Sequence, residues 1–138
     1  MGKGIREVMT SNPCTIDADK PVGYAAKMMR DEDVGLAPIV EGDRLIGTLT
    51  DRDIAIRVVA EGRDPESTKV REVASTDLVT IDPEQKLEEA LSLMAQHQVR
   101  RLPVVEEDGR LVGVVAQADI ARQSDDRKTG EVVERISQ

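Results

Sequence analysis

The sequence predicts an α+β fold built from two copies of a βαββα unit. The chain matches itself at an offset of 65 positions, where Thr15-Ile16-Asp17 aligns with Thr80-Ile81-Asp82. One extra residue in a later turn shifts the offset to 66, where Asp53-Ile54-Ala55 aligns with Asp119-Ile120-Ala121. A self-match that continues over most of the chain indicates a duplicated structural unit.

Local patterns predict the first elements of the first repeat. Ser11-Asn12-Pro13 favours a turn, so we place a helical turn before it, at Ile5–Met9, and a brief strand after it, at Cys14–Asp17. An apolar stripe at i, i+3, i+4, i+7 spacing then predicts a helix, with a proline suited to its first turn. These residues are Pro21, Val22, Ala25, Ala26 and Met29.

Two strands and a second helix complete the first repeat. The strands are predicted at Leu36–Val40 and Leu45–Thr50, joined by a tight turn at Glu41–Arg44, and the helix runs from Asp51 to about Ala60. The second repeat follows the same order. Its elements are a helix face at Leu87, Ala90, Leu91 and Met94, strands at Leu102–Val105 and Leu111–Ala116, a turn at Glu106–Gly109 and a helix from about Gln117 to Gln123.

A polar stretch with Gly and Pro but no apolar period separates the repeats. We therefore assign residues 1–62 to the first repeat, 63–69 to a linker, 70–124 to the second repeat and 125–138 to a polar tail or short helix. A small sheet covered by one helical layer leaves its other face bare, so the repeats are expected to pack sheet to sheet about a pseudo-twofold axis.

Composition narrows the function. The 138 residues include no Phe or Trp and carry a net charge of -8, which disfavours nucleic acid and membrane surfaces as partners. No apolar run has the length of a membrane helix, and the start of the chain has no signal-peptide core. The single cysteine, Cys14, cannot form an intrachain disulfide. We expect a cytoplasmic protein.

Catalysis and metal binding are not expected. His97 is the only histidine, and Cys14 lies in the other repeat. A metal cluster built on histidines or a Cys-His dyad therefore has no basis in the sequence. We expect no enzyme activity, no required cofactor and no metal site.

A hydroxyl and a carboxylate lie three residues apart where the second helix of the first repeat begins, at Thr50 and Asp53. The carboxylate can accept hydrogen bonds from two ribose hydroxyls, while the helix N-terminus favours an anion. The same spacing is also a capping box, which satisfies only the helix itself. Both interpretations stay open. The second repeat keeps the acid as Asp119 but has Ala116 in place of the hydroxyl.

Two adjacent guanidinium groups, Arg100 and Arg101, lie where a strand of the second repeat begins. If the repeats face each other, this edge is opposite Thr50 and Asp53, and arginine binds phosphate through paired hydrogen bonds. The alternative is a solvated pair that bridges Glu106 and Glu107.

The repeat, the strand Leu102–Val105 and the pattern Gly47-x-x-Thr50-x-x-Asp53 resemble a CBS domain pair, or Bateman module. Leu49–Ile54 and His97–Arg101 are similar to the stand-alone two-CBS proteins of the hypoxic-response type. The resemblance implies a disc-like homodimer and a non-catalytic module. It also implies a regulatory ligand that is an adenine nucleotide (AMP, ADP or ATP) or S-adenosylmethionine.

The resemblance also implies which residues bind. Thr50 and Asp53 would hold a ribose, the backbone near Thr80 and Leu102-Pro103 would flank adenine, and Arg100 or Arg101 would meet phosphate. A mirrored cleft would use Asp119 with Thr15, Ile16, Ala37 and Pro38. This mirrored cleft has Ala116 for the usual hydroxyl, and the first repeat has Gly35 and Leu36 where the second has its arginines. We therefore expect unequal sites, with tighter binding at Asp53.

Two functions from different classes remain. One is a nucleotide sensor whose occupancy is read by a downstream protein that the sequence does not identify. The other is a ligand-free dimerisation or scaffolding module in a stress response, in which Thr50 and Asp53 only cap a helix. Homodimerisation is expected through an apolar face at Ile54, Val58 and Val59.

Overall fold

The computed structural model describes residues 4–123, and the tail predicted at 125–138 lies outside them. In chain order the elements are α1 Ile5–Val8, β1 Thr10–Ser11, β2 Ile16–Asp17, α2 Val22–Glu32, β3 Leu36–Glu41, β4 Arg44–Thr50, α3 Asp51–Ile54, a π-helical turn Ala55–Val59, α4 Val70–Val73, α5 Leu87–His97, β5 Arg101–Val105, β6 Leu111–Ala116 and a helical segment α6 over 117–123. This confirms the predicted α+β class.

The described chain forms two compact units whose segments alternate along the sequence. The first unit comprises Pro13–Leu78 and Glu107–Leu111. The second unit comprises the chain up to Asn12, Val79–Glu106 and the chain from Val112 onward. Each unit therefore contains segments from both sequence repeats.

The first unit has a three-stranded sheet of order β2-β3-β4, in which β2 and β3 are parallel and β3 and β4 antiparallel. Its strands supply alternate residues to an aliphatic core beneath α2, because successive strand residues point to opposite faces. Ala37, Ile39 and Leu49 are fully buried there against the α2 stripe. The buried stripe of α2 consists of Val22, Gly23, Ala25 and Met29, close to the prediction.

The second unit has a sheet of order β1-β6-β5. Its core contains Leu102 and Val104 of β5, Val115 of β6 and the α5 residues Ala90 and Met94. Residues 80–82 form no strand of the sheet; their contribution is a single parallel bridge between Ile81 and Val104.

The first segment of each repeat pairs with the last strand of the other repeat. Thr10 and Ser11 of β1 pair with Val114 and Gly113 of β6. In the first unit, Ser75 forms the equivalent bridge with Thr48 of β4.

The hairpin turns of the two repeats are also hydrogen-bonded, within the first unit. The amide of Leu45 donates to the Gly109 carbonyl at 3.1 Å, and the amide of Leu111 donates to the Asp43 carbonyl at 2.9 Å. The hairpin turn of the second repeat thereby becomes part of the first unit.

Three local predictions were wrong, and long-range pairing explains one of them. Ser11 belongs to a strand, because β6 offers it a partner. The predicted strand at Cys14–Asp17 begins only at Ile16. Pro21 is the N-cap of α2 and not part of its first turn.

The apolar residues exposed in the structure also differ from the face predicted for dimerisation. Val58 is buried, with 1% exposure, because it packs into the first core. Ile54 is half-buried against the same core, whereas Ile56 and Val59 are 46% and 71% exposed.

Candidate functional site

The start of α3 forms a complete capping box. Thr50 is the N-cap, and its hydroxyl accepts a hydrogen bond from the Asp53 amide at 3.1 Å. Asp53 Oδ2 accepts the Thr50 amide at 2.9 Å. The capping role considered from the sequence is therefore present, and it fixes the orientation of the Asp53 carboxylate.

The second oxygen of Asp53 stays open. Among the described hydrogen bonds, none ends at Oδ1. The nearest cation is Arg57, whose Nε lies 4.0 Å from Oδ1, and the Asp53 side chain is 16% exposed. Arg57 is itself anchored, because its Nη1 donates to the Val73 carbonyl at 3.0 Å. The result is an oriented, charge-balanced carboxylate that retains hydrogen-bonding capacity.

Asp119, at the equivalent helix start of the second unit, is held differently. Ala116, which has no hydroxyl to accept a helix amide, occupies the place of Thr50 there. Arg122 Nη2 lies 3.0 Å from Asp119 Oδ1, and the two side chains are 68% and 26% exposed. This acid is paired through Oδ1 with an exposed arginine.

Arg100 and Arg101 lie beside Asp119 in the second unit. The Gln117 amide donates to the Arg100 carbonyl at 2.8 Å, which joins the start of β5 to the start of α6. Both arginines are exposed, and neither makes an ion pair or side-chain hydrogen bond with another residue in 4–123. The predicted alternative of a pair bridging Glu106 and Glu107 is therefore not observed.

The equivalent edge of the first unit has the same backbone connection without guanidinium groups. The Asp51 amide donates to the Gly35 carbonyl at 3.1 Å, which joins the start of β3 to the start of α3. Gly35 and Leu36 occupy the places of Arg100 and Arg101.

The predicted site residues divide evenly between the units. The first unit contains Thr15, Ile16, Ala37, Pro38, Thr50 and Asp53, and the second unit contains Thr80, Arg100, Arg101, Leu102, Pro103 and Asp119. Ile16, Ala37 and Leu102 are fully buried in the two aliphatic cores, so only their backbone groups can meet a ligand. Thr15 is exposed and Thr80 half-buried. The binding roles assigned to these residues stay predictions.

Gly47 and Gly113 are needed for packing within the protein. A Cβ on Gly113 would lie 2.7 Å from Met9 Sδ and 2.8 Å from the Thr10 carbonyl. One on Gly47 would lie 3.0 Å from the Ser75 carbonyl. Each glycine therefore admits the segment that pairs with its strand.

Sequence reasoning missed Arg57 and Arg122, the cations that contact the two acids. Arg57 follows Asp53 by four residues and Arg122 follows Asp119 by three, and both spacings place side chains on one helix face. That spacing was the available signal.

Cys14 lies in a separate groove of the first unit. The groove has a volume of about 450 Å³ and is lined by Cys14, Tyr24, Lys27, Met28, Asp31 and Glu32. Cys14 Sγ donates to Glu32 Oε1 at 3.1 Å, and this hydrogen bond raises the pKa of the thiol. None of the predicted nucleotide-binding residues lines this groove.

The described residues contain neither a cluster of metal ligands nor a membrane-spanning helix. Between residues 4 and 123, no three His, Cys, Asp or Glu side chains come together as potential metal ligands. No helix in that range combines the length and apolar character needed to cross a membrane.

Known proteins share both the sequence and the fold. The CBS domain family model matches residues 5–60 and 70–126. The CBS domain-containing protein YhcV of Bacillus subtilis is 44% identical over 134 residues, which cover 96% of this chain and 94% of YhcV. Hypoxic response protein 1 of Mycobacterium tuberculosis is 42% identical over 118 residues, or 85% of this chain and 82% of that protein.

Comparison with solved structures shows the same fold. A crystal structure of Hypoxic Response Protein I with two coordinated zinc ions has a TM-score of 0.80 at 40% identity and covers 88% of this chain and 98% of that one. A crystal structure of CBSX2 in complex with AMP has a TM-score of 0.81 over 92% of this chain and 99% of CBSX2, and its 21% identity supports the shared fold alone. Two matched domains that span most of the sequence, together with these relatives, confirm the resemblance drawn from the repeats: the chain belongs to the CBS domain family, as a pair of CBS domains.

Proposed function

We propose that this CBS pair is a non-catalytic regulatory module that binds an adenine nucleotide or S-adenosylmethionine. The observation that carries the proposal is the Asp53 carboxylate, which Thr50 orients while Oδ1 accepts no hydrogen bond from residues 4–123. Two vicinal ribose hydroxyls are suitable donors for such a group. The crystal structure of CBSX2 in complex with AMP shows that this fold is compatible with an adenosine ligand.

The second unit supplies a complementary feature for the proposal. Arg100 and Arg101 are exposed cations without a described ion-pair partner, and they lie at the edge that also carries Asp119. Guanidinium groups form charge-assisted hydrogen bonds with phosphate oxygens. We propose that they select phosphorylated ligands, and that S-adenosylmethionine, which has no phosphate, binds without their help.

Titration calorimetry of the full chain with AMP, ATP and S-adenosylmethionine tests the proposal. Binding should also raise the melting temperature, because a ligand that binds only the folded state stabilises it by mass action. Asp53→Ala is expected to weaken binding more than Asp119→Ala. Asp53→Asn, which keeps an oxygen to accept the Thr50 amide, separates the ligand contact from the cap. Absence of heat and of a melting shift at millimolar ligand contradicts the proposal.

One observation favours a second candidate, a ligand-free dimerisation or scaffolding module. The capping box already gives Thr50 and Asp53 a structural role, and Ile56 and Val59 present apolar surface to solvent. Under this alternative, Asp53→Ala lowers the melting temperature but no ligand raises it.

A homodimer and a downstream partner protein belong to both candidates, as does a cytoplasmic location. Light scattering of the wild type and of Val59→Glu tests the dimer. Val59 is 71% exposed, so the substitution spares the core. A wild type that is monomeric at all concentrations contradicts self-association.

A further inference from the structure

We propose that Arg57 partly neutralises the Asp53 carboxylate, and that its charge makes the first unit favour adenosine ligands that carry phosphate. This inference rests on the proposed function and goes further, because it names the group in the first unit that sets charge preference.

The distance between Arg57 and Asp53 suits this role. At 4.0 Å from Oδ1, the Arg57 Nε is near enough for an ion pair but too far for a hydrogen bond. The carboxylate is therefore partly neutralised without losing Oδ1 as an acceptor. Arg122, by contrast, is at hydrogen-bond distance from Asp119 Oδ1.

A second contact fixes the position of the Arg57 guanidinium group. Its Nη1 donates to the carbonyl of Val73, the last residue of α4, at 3.0 Å. The guanidinium therefore bridges the π-helical turn and α4 within the first unit, and its position does not depend on Asp53 alone.

The charges of the residues near Asp53 explain why loss of Arg57 would affect phosphate binding. Asp51, Arg52, Asp53 and Arg57 all lie between positions 51 and 57, and their formal charges cancel. No arginine stands at the start of β3, where Gly35 and Leu36 are found. Loss of Arg57 leaves this helix start with a net negative charge, which repels a phosphate more strongly than it affects an uncharged nucleoside.

The experiment measures affinities for adenosine, AMP and ATP by calorimetry. All variants also carry Asp119→Ala, so that the measured affinity is that of the Asp53 site. Arg57→Ala is expected to weaken ATP binding roughly tenfold, AMP binding about threefold and adenosine binding less than twofold. Arg57→Lys, which keeps the charge, should restore much of the ATP affinity. Arg71→Ala is the matched control, because it removes an arginine of the first unit that is paired with Asp19 and Glu41.

The outcomes separate this inference from the proposed function. If the wild type binds none of the three ligands, the proposed function fails. If the background protein binds but Arg57→Ala weakens all three ligands equally, or none of them, the charge preference is overturned and the proposed function stands. If Arg57→Ala does not fold, Arg57→Gln supplies the same test, since its amide keeps a donor for the Val73 carbonyl.

Discussion

The helix starts that carry Asp53 and Asp119 occupy equivalent positions in the two repeats but are built differently. Asp53 is held by both arms of a capping box, with an anchored arginine 4.0 Å away. Asp119 has no capping hydroxyl, and an exposed arginine occupies its Oδ1. The two exposed arginines at the start of β5 lie only on the Asp119 side.

This difference shows that the two copies of a duplicated unit can carry different polar residues at equivalent positions. The first unit has an oriented acid and no guanidinium at the start of its strand, whereas the second has two guanidinium groups and a loosely held acid. Capping residues and strand-start residues vary independently, because each acts through its own local contacts. The repeats can therefore keep one backbone while their polar edges diverge.

The largest expected effect concerns the glycine that precedes each helix start. Gly113→Ala should lower the free energy of unfolding by about 3 kcal/mol and Gly47→Ala by about 1 to 2 kcal/mol, because overpacking forces neighbours apart. The difference arises because a Cβ on Gly113 would lie 2.7 Å from Met9 Sδ and 2.8 Å from the Thr10 carbonyl, against 3.0 Å from the Ser75 carbonyl for Gly47.

Urea denaturation measures both values. Gly42→Ala is not a suitable control, since its φ of 65° adds strain of its own. Gly35→Ala is better, because its closest contact is the Asp51 side chain at 3.3 Å. Equal losses for Gly113→Ala and Gly47→Ala would contradict the tighter packing beside β1.

A smaller effect is expected from exchanging the capping residues. Thr50→Ala should cost about 1 kcal/mol of unfolding free energy, whereas Ala116→Thr should gain about 0.5 to 1 kcal/mol by supplying the missing cap for α6. Denaturant titration of both variants checks the signs.

Thr50→Val, which keeps the shape but removes the acceptor, is the control for lost packing. Stabilisation by Thr50→Ala, or destabilisation by Ala116→Thr, would show that the hydroxyl is not what distinguishes the two helix starts.

The smallest expected effect on stability concerns two further helix starts, at Glu72 and Glu89. The Lys69 amide and the Arg63 guanidinium hold the pKa of Glu72 below its usual value, and the Lys86 amide and Gln85 do the same for the pKa of Glu89. A carboxylate with a lowered folded-state pKa stabilises the fold above its unfolded pKa, and this contribution is lost as pH falls through the folded value. Glu72→Gln and Glu89→Gln should therefore each lower the melting temperature by about 2 °C or less at pH 7, and by almost nothing near pH 3.

Salt distinguishes the two glutamates. The Glu72 contribution should shrink at 1 M salt because it includes the ion pair to Arg63, whereas Glu89, bonded to a neutral amide, should change less. A deficit for Glu72→Gln that is independent of both pH and salt would mean that packing, not charge, stabilises α4.

Much of the fold was predictable because the signals are local. The helix stripe from Val22 to Met29 and the strands at Leu36 and Leu45 were located within one or two residues, and their aliphatic core followed from the same alternation. Thr10 and Ser11 were missed as a strand because their partner, β6, lies about 100 residues away along the chain. The π-helical turn that buries Val58 also depends on tertiary packing.

At the candidate site, the acids and the capping box were visible from residue type and spacing at Thr50 and Asp53. The cation beside each acid was not identified, although Arg57 and Arg122 have helical spacing. Which carboxylate oxygen accepts the Thr50 amide and which one faces Arg57 is set by side-chain geometry, and no sequence pattern reports this.

β1 belongs to the second unit and α4 to the first unit, so each lies apart from most of its own repeat. The protein therefore cannot be cut into two independent domains at its linker. A fragment ending at residue 62 would keep β1 without its partner β6 and would lose the Ser75 bridge to Thr48. A fragment of residues 13–78 would keep the sheet of the first unit together with its Ser75 bridge, and it would lose the turn at 107–111 that completes that unit.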